Sequence, residues 1–232
     1  MCSLLQTNSA SRELAVHRDL VHSHIVHLLD AGENDEEFLL AMEFVEDYDY
    51  FRNRMEVQNK PFNLKADGGV AKMRSFSFDI LTALDYLHAS QVLHLDLKPS
   101  NLLLDRRVED TEYPLVKLCD FGLSRRTETN GSAYVEKRCG TDPYIAPEVK
   151  DHSNVTAAAD IWSFGILLYQ LAVGFVPTAL KWKPGETVPF VPRYWRKYAD
   201  TGLSDLISQC LRLSPAERIT TTTALQHSWF SI

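Results

Sequence analysis

Between Lys72 and Ser90 the apolar residues Phe76, Ile80, Ala83, Leu84 and Leu87 recur three and four positions apart. That spacing lines one stripe of a helix, so the pattern predicts a long amphipathic helix here. A second helix is expected from Ser11 to Val21, with Ser11 as candidate N-cap, followed by Leu14 and Val16. Compact apolar runs at Phe38–Phe44 and Leu115–Cys119 suit strands. The polar stretch from Asp105 to Pro114 reads as a turn between two short strands. The run from Ile161 to Phe175 contains Ser163, Gln170 and two glycines. It is too short for a membrane span, and a buried core helix explains it better. Pro177 to Pro192 is expected to be an irregular surface connection. Ser204–Leu213, capped by Ser204, and Thr220–Trp229 read as two closing helices.

The bulk properties narrow the class only modestly. A chain of 232 residues, 45% hydrophobic and 24% charged, fits one domain or two tightly packed lobes. A net charge of −7 argues against nucleic acid or a membrane surface as the main partner. Cys2, Cys119, Cys139 and Cys210 show no CxxC pairing, which points to reduced thiols and a cytoplasmic (or nuclear) protein. Cys119 reads as a small buried hydrophobe rather than a redox group. The first residues carry no secretory signal, and residue 2 is not the glycine that myristoylation needs.

The chemistry concentrates in Val92–Leu104, where Asp96, Lys98 and Asn101 stand at fixed offsets between apolar residues. Asp96 can accept a proton from a hydroxyl, Lys98 can neutralise a phosphate, and Asn101 can hold a metal ion through its carbonyl oxygen. Phosphoryl transfer needs this combination, because it depends mostly on positioning and charge neutralisation. His17-Arg18-Asp19 offers a superficially similar tripeptide, but Val21 and His24 occupy the matching offsets. Asp19 therefore reads as an ordinary helix-surface carboxylate.

The run His94-Leu95-Asp96-Leu97-Lys98-Pro99-Ser100-Asn101 resembles the catalytic loop of protein kinases, and its Lys-Pro-x-Asn ending is similar to the serine/threonine branch. Asp120-Phe121-Gly122 resembles the family's magnesium-binding triplet. Gly140-Thr141-Asp142-Pro143-Tyr144-Ile145-Ala146-Pro147-Glu148 resembles the end of the activation segment, and Asp160-Ile161-Trp162-Ser163-Phe164-Gly165 the start of a central helix. The resemblance implies an α+β, two-lobe kinase-like fold with a truncated small lobe and a mainly helical large lobe. It implies a single domain over 1–232, with 1–45 as partial small lobe and hinge and 46–232 as large lobe. ATP and Mg2+ are the implied cofactors, and proteins with Ser/Thr acceptors the implied substrates. Asp96, Lys98 and Asn101 would be catalytic, and Asn101 and Asp120 would hold the metal. Met42, Glu43, Val45, Asp49, Leu103 and Asp120 would bind the nucleotide, with the Glu43 and Val45 backbone on adenine and Asp49 on ribose. Arg218 would pair with Glu148, Asp160 would bond the catalytic-loop backbone, Thr141 would support Lys98, and His94 would pack beneath Phe121. Residues 125–138 would form the activation loop.

The chain also departs from the family pattern. Residues 1–12 contain no glycine and no lysine, so the phosphate-covering loop and the strand lysine have no counterpart there. Glu13 matches the helix glutamate that pairs with that lysine. Two strands without the rest of the small lobe would make a marginal sheet with an exposed edge. Residues 1–45 are therefore expected to be the least stable part, and a partner completing the small lobe is expected. These gaps also motivate an alternative, a truncated or pseudo-kinase that acts as a binding module, or a chain that continues upstream. Leu95 stands where many kinases place an arginine, and His17 falls where the family stacks an apolar residue on Phe121. Ser100 stands where some kinases that prefer basic sites carry an acid, so it gives no ground for such a preference.

Overall fold

The computed structural model describes residues 2–5, 7–33, 38–61, 69–107, 112–199 and 201–231. Strands β1 (Cys2–Leu5), β2 (Leu28–Glu33) and β3 (Phe38–Met42) form an antiparallel sheet in the order β1–β3–β2, with Leu5 opposite Phe38 and Glu33 opposite Phe38 on the other side. The expectation of a two-stranded sheet is thus corrected. Cys2–Leu5 covers one edge of β3, although its few residues carried no alternation that could announce a strand.

Helix α1 (Thr7–His17) follows β1 almost directly. It starts before Ser11, so Ser11 is an interior residue and not a cap, and Arg18–Val21 lie beyond its end. The first turn, Thr7-Asn8-Ser9-Ala10, has no apolar stripe and so gave no periodic signal. Val16 and Leu20 are buried, while Val21 is exposed. A parallel bridge between Ile25 and Leu118, with Val26 N–H on Leu118 O at 2.9 Å, joins this part to the helical body.

Helix α2 (Gly69–Ala89) buries all five residues of the stripe read from the sequence. Beyond it come the short strands β4 (Val92–Leu93), β5 (Leu102–Asp105), β6 (Leu115–Leu118) and β7 (Arg125–Arg126), with β4 paired to β7 and β5 to β6. Strand β8 (Ser132–Val135) pairs with β9 (Ser153–Thr156), which holds the 125–138 segment extended along the body. Helix α3 (Ala158–Val173) is buried at nearly every position and is the hub of the core. Gly174 ends it in a left-handed conformation, φ +87°, where a Cβ would sit 2.6 Å from the Asn59 carbonyl.

Helices α4 (Pro192–Trp195), α5 (Leu203–Cys210) and α6 (Thr221–Leu225) close the body. The N-cap of α5 is Gly202, so Ser204 lies inside the helix and its carbonyl accepts the Ser208 hydroxyl. Thr220 does cap α6, through a bond from the Thr223 N–H. The expected helix over Thr220–Trp229 breaks at Gln226, and a 3-10 turn over Ser228–Phe230 follows. The His227 ring accepts the Trp229 N–H at 3.1 Å, which replaces a helical bond at the break.

Arg218, with a side chain 0% exposed, donates to both oxygens of Glu148 at 2.5 and 2.7 Å and to the Arg212, Leu213 and Ala158 carbonyls. Removing one partner of such a pair leaves a charge desolvated and unpaired. Arg218→Ala is expected to cost about 3–5 kcal/mol in urea unfolding. A loss under about 1 kcal/mol would mean that the pair does not tie the Gly140–Glu148 segment to the body.

Candidate active site

The β5–β6 register sets Leu102 opposite Leu118. The residues just outside this rung are Asn101 on one strand and Cys119 and Asp120 on the other. The Cys119 N–H donates to the Asn101 carbonyl at 3.0 Å and extends the ladder. Two polar side chains far apart in sequence are thereby brought to the same end of one hairpin. Both open into a cleft of about 790 Å3. Met42, Glu43, Val45, Asp49 and Leu103 line that cleft too, together with Glu13, Val26, Phe44, Tyr48, Arg52, Glu56, Ser100 and Cys119.

Lys98 and Thr141 line an adjoining groove of about 460 Å3, and both bond Asp96. The Asp96 carboxylate is nearly buried and receives three donors: Lys98 Nζ at 2.6 Å, Thr141 Oγ1 at 2.7 Å and Asn101 Nδ2 at 3.3 Å. Lys98 Nζ also donates to Thr141 Oγ1 at 2.9 Å. Asn101 spends its amide hydrogens on the Asp96 carbonyl and carboxylate. Its side-chain oxygen accepts no bond among the described residues, and Asn101 lines the cleft together with the exposed Asp120. One carboxylate and one neutral oxygen are hard donors suited to magnesium, so the residues fit that ion. At the hinge, Glu43 N–H is taken by the His27 carbonyl at 2.9 Å. No bond engages the Glu43 carbonyl or the Val45 N–H among the described residues. These groups, between apolar Val26, Met42 and Leu103, fit the edge and faces of an adenine.

The loop is strained and held. Leu95 has φ +64° and Asp120 φ +67°, a region that costs a non-glycine residue of order 1 kcal/mol or more. Asp160, fully buried, anchors the first by accepting the His94 and Leu95 N–H groups at 2.9 and 2.8 Å and His88 Nε2 at 2.9 Å. Burial alone would raise its carboxyl, but the bonds from His88 and His94 hold it below the usual carboxylate range. Phe121 lies between His17, 4.5 Å away by ring centroids, and His94 at 5.3 Å. His17 is completely buried, and desolvation lowers its pKa. A neutral ring with Nε2 on the Val26 carbonyl at 2.6 Å explains how a histidine fits this position.

Asp19 is corrected from a helix-surface carboxylate. It lies past the end of α1 and accepts Arg126 Nη2 at 2.5 Å, tying that end to β7. Sequence reasoning missed this tie, because nothing local marks a contact between residues so far apart. It also missed Glu56. Residues Arg52–Val57 form a π-helical turn, with Gln58 N–H on the Asn53 carbonyl at 3.0 Å, and this shift of register turns Glu56 toward the site.

A model of the protein kinase domain matches residues 3–230. The human serine/threonine-protein kinase DCLK3 is 32% identical over 226 residues, which cover 94% of this chain and 33% of that protein. The CBL-interacting protein kinase 31 of Oryza sativa subsp. japonica is 33% identical over 227 residues, covering 94% and 46%. The calcium/calmodulin-dependent protein kinase type 1 of Caenorhabditis briggsae is 31% identical over 231 residues, covering 96% and 60%. The chain belongs to the protein kinase family, in its serine/threonine branch, with the family's α+β fold and a short small-lobe sheet. It spans between about a third and three-fifths of the length of these curated relatives. No helix among the described residues is long and apolar enough to cross a membrane.

Glu13, 3% exposed, forms part of the cleft wall, and no ion pair reaches it among the described residues. Burial first, and the Asp120 charge second, push its carboxyl up to about 7. Between the ordinary value of 4.5 and about 7 the folded chain keeps a proton that the unfolded chain has lost, so this group's contribution to stability falls as pH rises through that window. Glu13→Gln is expected to raise the melting temperature by several degrees at about pH 8, from up to about 3 kcal/mol, and by much less at about pH 5. Equal melting temperatures for both proteins at the higher pH would contradict the shift.

Proposed function

We propose that the chain is a protein serine/threonine kinase domain that moves the γ-phosphate of ATP onto a hydroxyl of a protein substrate. The single observation that carries this reading is the joining of Asp96, Lys98, Thr141 and Asn101 in one hydrogen-bonded cluster, at the boundary between an apolar-walled cleft and an open groove. Adenine lies between Val26, Met42 and Leu103 and meets the Glu43 carbonyl and the Val45 N–H, and Asp49 meets the ribose. Asp96 orients the acceptor hydroxyl and takes its proton. Lys98 sits one hydrogen bond from that carboxylate and balances charge on the transferring group. Asn101 and Asp120 hold magnesium, which supplies neutralising charge for the phosphates when bound. Asp160 and Thr141 are positioning residues.

A second reading, a module that binds partners with little catalysis, is favoured by Glu13 alone. A kinase aligning phosphates through a cation on that glutamate would show an ion pair, and the described residues show none.

Two measurements separate the readings. The kinase reading expects transfer from labelled ATP to a protein substrate, reduced about 10²–10⁴-fold in Asp96→Asn. It also expects Mg-ATP to raise the melting temperature by several degrees, an effect lost in Asp120→Ala. Transfer unaffected by Asp96→Asn, or no thermal response to Mg-ATP in the unmodified chain, would overturn it.

A further inference from the structure

Glu56 and Ser100 form the partition between the nucleotide cleft and the adjoining groove, since both line the two spaces. The groove starts at Lys98 and Thr141, beside the transfer site. A segment carrying the acceptor hydroxyl to Asp96 has to lie in it. What that segment can contain follows from the charges it meets.

Most of those charges are already balanced. Lys98 is committed to Asp96 and Thr141. Asp142 is paired with Arg138 through contacts of 2.6 and 3.1 Å. Arg52 shares the π-helical turn but lines only the nucleotide side. Glu56 is different. It is exposed, its Oε1 accepts the Ser100 N–H at 3.2 Å, and no cation pairs with it among the described residues. Its other oxygen has no partner among them. The backbone bond holds one carboxylate oxygen beside the groove, so part of the side-chain freedom is already lost before a ligand arrives. Its field is felt on the groove side: burial first, and the Glu56 charge second, push up the Tyr144 hydroxyl on the wall.

We propose that Glu56 is a specificity-determining residue, selecting substrate segments that carry an arginine, or less well a lysine, beside the phospho-acceptor. A guanidinium can meet both carboxylate oxygens at once, and an ammonium only as a point charge. This deepens the kinase reading and rests on it for the word substrate. The carboxylate comes from the π turn, and there it meets the Ser100 N–H at the border of cleft and groove. Ser100, which has no charge, supplies only the backbone N–H that holds it.

The test is a set of serine-containing peptides with one arginine scanned through the flanking positions, against an alanine parent. Affinity for the full chain is read by fluorescence anisotropy, and transfer is read separately. Glu56→Gln is the variant of choice, because its amide oxygen can still accept the Ser100 N–H while the charge is gone. At one flanking position arginine is expected to tighten binding about 3- to 10-fold, with lysine weaker and glutamate unfavourable. In Glu56→Gln the arginine-to-alanine ratio should fall close to one, and added salt should shrink it in the unmodified chain. No arginine preference at any position, or a preference undiminished in Glu56→Gln, overturns the inference. Preferential binding without transfer would instead refute the catalytic reading and leave the Glu56 assignment standing.

Discussion

The register of β5 against β6 is the constraint on which the site depends. With Leu102 opposite Leu118, Asn101 and Asp120 emerge at the same end of one hairpin. A slip of a single residue would shift Asn101 and Asp120 relative to each other and turn one strand's buried residues to the other face. The register is held by buried Leu102, Leu104, Val116 and Leu118, and by Asp79, which accepts the Val116 N–H at 2.9 Å. The hydrophobic pattern of two four-residue strands therefore decides which end of the hairpin carries Asn101 and Asp120.

Around this hairpin the body acts as a clamp on conformations that the chain would otherwise leave. The left-handed backbone at Leu95 persists because a fully buried carboxylate on α3 bonds the N–H groups on either side of the turn. Phe121 keeps its place between two histidine rings, one from α1 and one from the loop after β4. The 125–138 segment is ordered by pairing with β9 and by Arg126 on Asp19, with no arginine at position 95. Each restraint joins residues distant in sequence, so the geometry of the site is a property of the whole fold.

Much of this was legible in the sequence because the chemistry sits in short runs with fixed offsets. Asp96, Lys98 and Asn101 lie within six consecutive residues, and local turn geometry alone brings them close. The stripe from Phe76 to Leu87 and the apolar run of α3 announced the core directly. Strand β1 and the first turn of α1 were not legible, since neither has a periodic apolar pattern. The Ser204 cap was misread because Gly202, free to adopt φ +76°, supplied the turn two residues earlier. The β8–β9 pairing joins two four-residue segments far apart in sequence, Ser132–Val135 and Ser153–Thr156, too short for their apolar residues to announce a pair. Glu56 was hidden by its π turn, since a 3.6-residue period assigns its side chain to another face.

Manganese offers the most direct view of the central claim, that Asn101 and Asp120 share one cation beside a nucleotide. With Mn2+ and a non-hydrolysable ATP analogue added to isotope-labelled protein, paramagnetic broadening should be strongest at Asn101, Leu103 and Asp120. It should be present at Val26 and Met42 and absent at Trp229. Broadening centred on any other surface, or none that the nucleotide enhances, would contradict the account.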